Sequence, residues 1–199
     1  MHQALRAWLA LALVCAAAWA WAQPPALMLA ETYRPGLPLA DYWISEKLDG
    51  VRARWDGHRL VSCGGYTISA PGWFTRGWPD QPLDGELWLG RGCFDEVSGL
   101  VRRAMPDDAA WRSLRYMVFE RPGEPGPFIE RALGLQRLAR QVRWPQLQAV
   151  SQQAIAGREA LKRLLAEVVR EGGEGLMLHR ADAAYVTGRS RTLLKLKPV

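Results

Sequence analysis

Cysteine, histidine and lysine are all scarce in this chain. Among its 199 residues there are 3 cysteines and 3 histidines. So few thiols exclude a scaffold stapled by several disulfides. Cys15, Cys63 and Cys93 show no Cys-x-x-Cys spacing, and His2, His58 and His179 are scattered. A zinc site of ordinary ligand spacing is therefore excluded as well. Internal repeats and low-complexity tracts are missing. A single apolar run, residues 7–20, stands near the start and is too short and alanine-rich for a membrane span.

That run has another meaning. Arg6 precedes it, and Ala20-Trp21-Ala22 has the small-x-small form of a cleavage site. Residues 1–22 are read as an export signal, which places the protein in the periplasm or outside the cell. Residues 23–199 are enough for one well-buried domain and too few for two large ones. The formal net charge is +6, a modest excess that suits an anionic partner such as a polyphosphate or nucleic acid. Cys63 and Cys93 stay in this domain, and sequence alone assigns them no pairing.

Lysine carries the most informative scarcity. Of 26 Lys plus Arg, the lysines are only Lys47, Lys162, Lys195 and Lys197. Arginine stays protonated and is no nucleophile, whereas a lysine amine can be deprotonated and attack. Lys47 stands in Ser45-Glu46-Lys47-Leu48-Asp49-Gly50-Val51-Arg52. A Lys-x-Asp-Gly element suggests an amine held for covalent chemistry, though the motif alone is weak. Lys162 falls on the polar face of an amphipathic helix and is read as a solvated surface residue.

Residues 23–40 are proline-rich and expected to be extended. Strands are expected over 42–48, 51–55, 59–62, 83–89, 115–120, 174–179 and 192–196. Asp56-Gly57 marks a tight turn between two of them. Helices are expected over 94–103, 128–142 and 158–170, the last with Leu161, Leu164, Leu165, Val168 and Val169 on one face. Residues 121–127 contain three prolines and two glycines and must be a loop. The order mixes strands and helices without a repeating βαβ unit.

Further short segments lie near expected strand ends: Ser62-Cys63-Gly64-Gly65, Trp73-Phe74-Thr75, Asp84-Gly85-Glu86-Leu87, Tyr116-Met117-Val118-Phe119-Glu120, Glu174-Gly175-Leu176-Met177-Leu178 and Leu194-Lys195-Leu196-Lys197-Pro198. Together with Lys47 they supply one amine, several carboxylates and two more cations. That inventory suits attack on a nucleotide phosphate with a hard divalent cation present. In this order the segments resemble the covalent nucleotidyltransferase superfamily of ATP-dependent DNA ligases, RNA ligases and mRNA capping enzymes. The pattern is most similar to the minimal bacterial ATP-dependent DNA ligases that carry an export signal. The resemblance spans about residues 27–198.

It implies an α/β (α+β) adenylation domain of the ATP-grasp-like kind, with antiparallel and mixed sheets flanked by helices. It also implies ATP and Mg2+ as cofactors and nicked double-stranded DNA as partner, with the protein acting as a monomer. Lys47 would become a lysyl-AMP phosphoramidate. Asp49 would serve catalysis and, with Glu174, the metal. Glu46, Arg52 and Glu86 would contact the nucleotide, Arg52 and Glu86 at the ribose. Phe119 would stack on the adenine, and Lys195 and Lys197 would meet the phosphates. Asp84 would serve a turn or a supporting role.

Three departures stand out. Cys63 occupies a position where the family usually has arginine, and it lacks that residue's charge and donor fork. Arg76, Arg91 and Arg102 are the candidates to replace it. The sequence stops at Val199, before the small OB-fold barrel that relatives carry, so weaker duplex binding is expected. Glu120 replaces a common aspartate. A nucleotide- or DNA-binding remnant without turnover, an RNA ligase and a guanylyltransferase remain open alternatives, since Lys-x-Asp-Gly does not set base choice. NAD as donor is disfavoured, because the segment after residue 22 has no room for a nicotinamide-binding domain.

Overall fold

The computed structural model describes residues 23–198. The expected export signal, residues 1–22, lies outside the described residues. No helix among those described is long and apolar enough to cross a membrane.

Two sheets make the frame. The first has five strands in the order β1 (Met28–Thr32), β11 (Gly188–Leu196), β10 (Leu176–Arg180), β2 (Tyr42–Glu46) and β9 (Gln153–Ala154). The second has six, in the order β5 (Thr67–Ile68), β4 (Leu60–Ser62), β3 (Val51–Trp55), β6 (Leu83–Trp88), β7 (Arg115–Glu120) and β8 (Leu147–Ala149). β1 with β11 and β7 with β8 pair parallel, and the other pairs are antiparallel. The helices are α1 (Phe94–Val101), the single turn α2 (Asp108–Trp111), α3 (Phe128–Val142) and α4 (Arg158–Arg170).

Each sheet has its own core. In β7 the side chains alternate, with Tyr116, Val118 and Glu120 buried, as a half-buried strand requires. Tyr116 stacks on Trp78 at 5.0 Å, and Phe74 meets Trp111 edge-on at 4.7 Å. These aromatics bury large apolar areas at favourable ring geometries. The Tyr116 hydroxyl lies 2.8 Å from the Ala53 carbonyl and accepts from the Trp55 N–H at 3.3 Å. It thus ties β7 to β3 across β6. The second core sets Leu161 and Val168 of α4 against Ile44, Leu176, Leu178 and Leu194. The 3.6-residue spacing of leucine and valine makes α4 bury this stripe.

The strands over 51–55 and 115–120 and the helices over 128–142 and 158–170 have the expected limits. Other limits shift. The strand expected over 42–48 ends at Glu46, and the helix expected over 94–103 ends at Val101. The final strand starts earlier, at Gly188. Residues 23–40 contain β1, which is held by long-range pairing with β11. A 3-10 turn, Leu39–Asp41, begins at their end. The short strands β5, β8 and β9 have no sequence pattern of their own. The turn α2 is capped by Asp107, whose carboxylate accepts from the Ala109 and Ala110 N–H groups.

One buried ion pair joins the second sheet to α3. Arg131 and Glu120 have side chains 1% and 4% exposed, with Nε and Nη2 donating to the carboxylate at 2.7 and 2.9 Å. Arg131 Nη1 also donates to the carbonyls of Gly126 and Ala183 at 2.6 and 3.0 Å. Removing one partner of such a pair leaves the other charge buried and uncompensated. Arg131→Ala should therefore cost roughly 3–5 kcal/mol in a denaturant titration. The double variant Arg131→Met/Glu120→Gln should lose less than Arg131→Ala alone.

Candidate active site

The site forms where the chain changes sheets. β2 belongs to the first sheet and β3 to the second, so residues 47–50 bridge them. The Lys47 N–H donates to the Gly175 carbonyl at 2.8 Å, which anchors the start of the bridge beside β10. At its end, a Cβ on Gly50 would lie 2.3 Å from the Leu87 carbonyl oxygen. Only glycine lets the backbone approach β6 that closely. The Gly50 N–H also donates to Glu86 at 3.2 Å. Gly175 is constrained likewise, with φ 149° and a Cβ position 2.2 Å from the Leu196 carbonyl. The glycines of both motifs thus bring Lys47, Glu174 and the end of β11 together.

Glu174 stands between two lysines. Lys47 Nζ donates to one of its carboxylate oxygens and Lys197 Nζ to the other. Burial opposes ionisation of Glu174, yet the hydrogen bonds from Lys197 and Lys47 outweigh it and hold the carboxyl below its ordinary pKa. The Lys47 side chain is 24% exposed and that of Lys197 49% exposed, so the triad sits at a rim open to large substrates.

Behind this rim lies a cavity of about 280 Å³ between the sheets. Its wall includes Lys47, Arg52, Glu86, Phe119 and Lys195. Arg52 is fixed from two sides. Its Nε and Nη2 donate to the two oxygens of Asp84 at 3.0 and 2.6 Å, and Nη2 donates to the Met28 carbonyl at 2.8 Å. The guanidinium carbon lies 5.4 Å from the Phe119 ring centroid, within cation–π range. Asp84 is fully buried, so it holds Arg52 and does not face a ligand. Glu86 lines the cavity, and burial pushes its pKa up to about 7 against the opposing charges of Lys47 and Arg52.

Glu46 lines the cavity too, but both its oxygens are engaged. Arg91 Nε and Nη2 donate to them at 2.8 and 2.9 Å, and Arg91 Nη1 donates to Glu171 at 2.6 Å. Arg91 is thereby committed and does not stand in for the arginine missing at Cys63. The Cys63 thiol lies 3.7 Å from the Arg52 carbonyl. Cys63 and Cys93 are both free. Asp49 is half-buried on the bridge. Lys162 pairs with Glu159 on the exposed face of α4.

No protein-family model matches the chain. A DNA ligase of Haemophilus influenzae is 33% identical over 171 residues, which cover 86% of this chain and 63% of that protein. A solved Lig E DNA ligase, from work on DNA binding with a minimal scaffold, is 40% identical with a TM-score of 0.83. That match covers 87% of this chain and 69% of the other. The chain belongs to the DNA ligase family. It spans less than two thirds of the Haemophilus protein and corresponds to the adenylation-domain part of the ligases. The bacteriophage T7 ATP-dependent DNA ligase, solved with ATP, shares the fold at 20% identity and a TM-score of 0.66. That match covers 87% of this chain and 68% of the phage chain.

Sequence reasoning did not single out Phe128, Gln152, Met177 or His179, all of which line the ligase cavity. Met177 lay inside a quoted motif and followed from strand alternation. Gln152 had no local signal.

No group of three or more His, Cys, Asp or Glu that could hold an ion occurs among the described residues. A dedicated protein cage therefore does not fit. A hard cation held by one or two carboxylates together with substrate phosphates needs no such cage.

Glu86 provides a pH test. Its folded pKa of about 7 exceeds its ordinary 4.5, so between these values the folded state holds more protons than the unfolded one. Its contribution to stability is present at low pH and is lost as pH rises through about 7. NMR should show a Glu86 titration midpoint near 7, and Lys47→Met should move it higher. Glu86→Gln should remove this part of the slope of stability against pH.

Proposed function

We propose that this chain carries out the self-adenylation step of an ATP-dependent DNA ligase, with residues 23–199 as the adenylation domain. The arrangement that supports this is the Lys47–Glu174–Lys197 triad at the rim of a purine-sized cavity walled by Phe119 and Arg52. The Haemophilus relative and the Lig E structure, both DNA ligases, favour DNA as the final acceptor. The net charge of +6 suits a polyphosphate backbone.

The cavity takes the nucleoside of ATP, with Phe119 stacked on the base and Arg52 and Glu86 at the ribose. Held by Asp84 and Met28, Arg52 presents its remaining donors with little loss of freedom. Lys47 Nζ lies at the rim, aimed at the α-phosphorus. As long as its proton is shared with Glu174, the amine has no lone pair for attack. Lys47 gives up that proton to solvent once the incoming phosphates displace its pairing with Glu174. Its nitrogen then forms the P–N bond as the bond from the α-phosphorus to the bridging oxygen breaks and pyrophosphate leaves. Lys195 and Lys197 offset charge on the phosphate oxygens. Magnesium, when bound beside Asp49 and Glu174, neutralises phosphate charge. The phosphoramidate keeps the adenylate activated for transfer to a 5′-phosphate at a nick.

A second reading, a nucleotide-binding remnant without turnover, is favoured by Cys63, which brings a thiol to the Arg52 carbonyl and no cation. Incubation with ATP and magnesium followed by intact-mass measurement separates the two. The first reading expects a mass increase of one adenylate that maps to Lys47 and vanishes in Lys47→Ala. Folded protein that binds ATP yet gains no mass supports the remnant. An adduct that persists in Lys47→Ala moves the nucleophile elsewhere.

Export is part of the same proposal, supported by the apolar run over 7–20 and the Ala20-Trp21-Ala22 site. Amino-terminal sequencing of protein from periplasmic extract should begin at Gln23. A start at Met1 or His2 in the mature protein would refute cleavage.

A further inference from the structure

The Lys-x-Asp-Gly motif leaves the base of the nucleotide undecided, but the far end of the cavity does not. Two strands flank β2 there, β9 on one side and β10 on the other. Lys47 pairs with Gly175 at the rim, and His179 lies four residues further along β10, about 13 Å at the rise of a strand. That separation suits a phosphate at one end and the edge of a base at the other. Gln152 approaches the cavity from a different direction and nearer its middle, since the antiparallel pairing of β2 with β9, continued by one residue, sets it level with Ser45 and Met177. It lies on the segment that crosses from β8 in the second sheet to β9 in the first, next to Gln153, which pairs with Ile44 of β2.

Gln152 and His179 both line the cavity, and neither is committed to the protein. Gln152 Oε1 and His179 Nε2 are buried and have no hydrogen-bond partner among the described residues. An amide oxygen shut from water with no donor is costly, so an uncommitted glutamine in a cavity wall asks for an incoming donor. His179 stacks on Phe128, with ring centres 3.7 Å apart and planes 21° apart. Burial and the charge of Arg131 push its pKa down to about 3, so the imidazole is neutral at physiological pH. This pair gives the base end of the cavity a flat, uncharged wall. The carboxamide of Gln152 can present either its oxygen or its NH2 group by rotation about its broad terminal torsion.

We propose that Gln152 selects the base of the nucleotide, its Oε1 accepting from the 6-amino group of adenine while its amide NH2 donates to N7. Glutamine and adenine match in this two-bond pattern, whereas guanine offers an oxygen at position 6 and leaves Oε1 unpaired. This rests on the nucleotide reading above and adds the residue that decides between adenine and guanine.

Equilibrium binding tests it without turnover. AMP, GMP and purine riboside monophosphate, in which hydrogen replaces the 6-amino group, are titrated into the wild-type chain and into Gln152→Met. Folding of both is checked by circular dichroism, and Gln152→Leu serves as the second variant should Gln152→Met unfold. The wild type should bind AMP roughly fivefold more tightly than purine riboside monophosphate, the value of one hydrogen bond of average strength. Gln152→Met should bind the two alike, at the weaker level. Equal binding of the two by the wild type, or a preference for AMP undiminished in the variant, overturns the role of Gln152. A wild-type preference for GMP also overturns it, since the amide would then present its donor. Failure of folded wild-type protein to bind any of the three overturns the nucleotide reading itself, and this inference with it.

Discussion

The passage of the main chain from one sheet to the other across residues 47–50 is the constraint on which the site depends. Glu46 is the last residue of β2, and Val51 is the first of β3. A crossing this short brings two separate cores edge to edge and leaves a cleft where they meet. It also forces close contact with both neighbours. Lys47 bonds to Gly175 on one side, and Gly50 presses against the Leu87 carbonyl on the other. A side chain at position 50 or 175 would push β6 or β11 away, and Glu86, Glu174 and Lys195 would lose their common centre.

Charge around this crossing is arranged in compensated groups. Lys47 and Lys197 share Glu174, Arg52 takes both oxygens of Asp84, and Arg91 binds Glu46 and Glu171. The buried member of each set is satisfied, as the low dielectric of an interior demands. The sets differ in what they leave available. Arg52 and Asp84 form a fixed wall, because Asp84 is fully buried. The Glu174 set is more exposed and can exchange partners with incoming phosphate. The cavity thus runs from a charged, changeable rim to an aromatic, neutral interior, a gradient that matches a nucleotide from phosphate to base.

Much of the frame was legible in the sequence. Strands β3 and β7 and helices α3 and α4 follow from local periodicity, since each packs one face on a core and alternates or repeats accordingly. Strands β1, β5, β8 and β9 did not follow. They are short, and their partners are remote in sequence, as when Met28 of β1 meets Gly188 of β11. The strand expected over 42–48 ends at Glu46 because the main chain is already turning there toward the second sheet.

The site divides in the same way. Lys47, Glu86, Glu174, Lys195 and Lys197, which the structure brings to one cleft, each stand in a short motif, and a motif is a local object. What Arg91 does, what Asp84 holds, and that Gln152 and His179 line one cavity were settled only by the fold. Arg91 reaches Glu46 across 45 positions of sequence, and Gln152 and His179 line one cavity because β9 and β10 flank the same strand. The lysines and carboxylates of the cleft were thus written in short local motifs, whereas the partners that hold them are chosen by strand order, which no local pattern encodes.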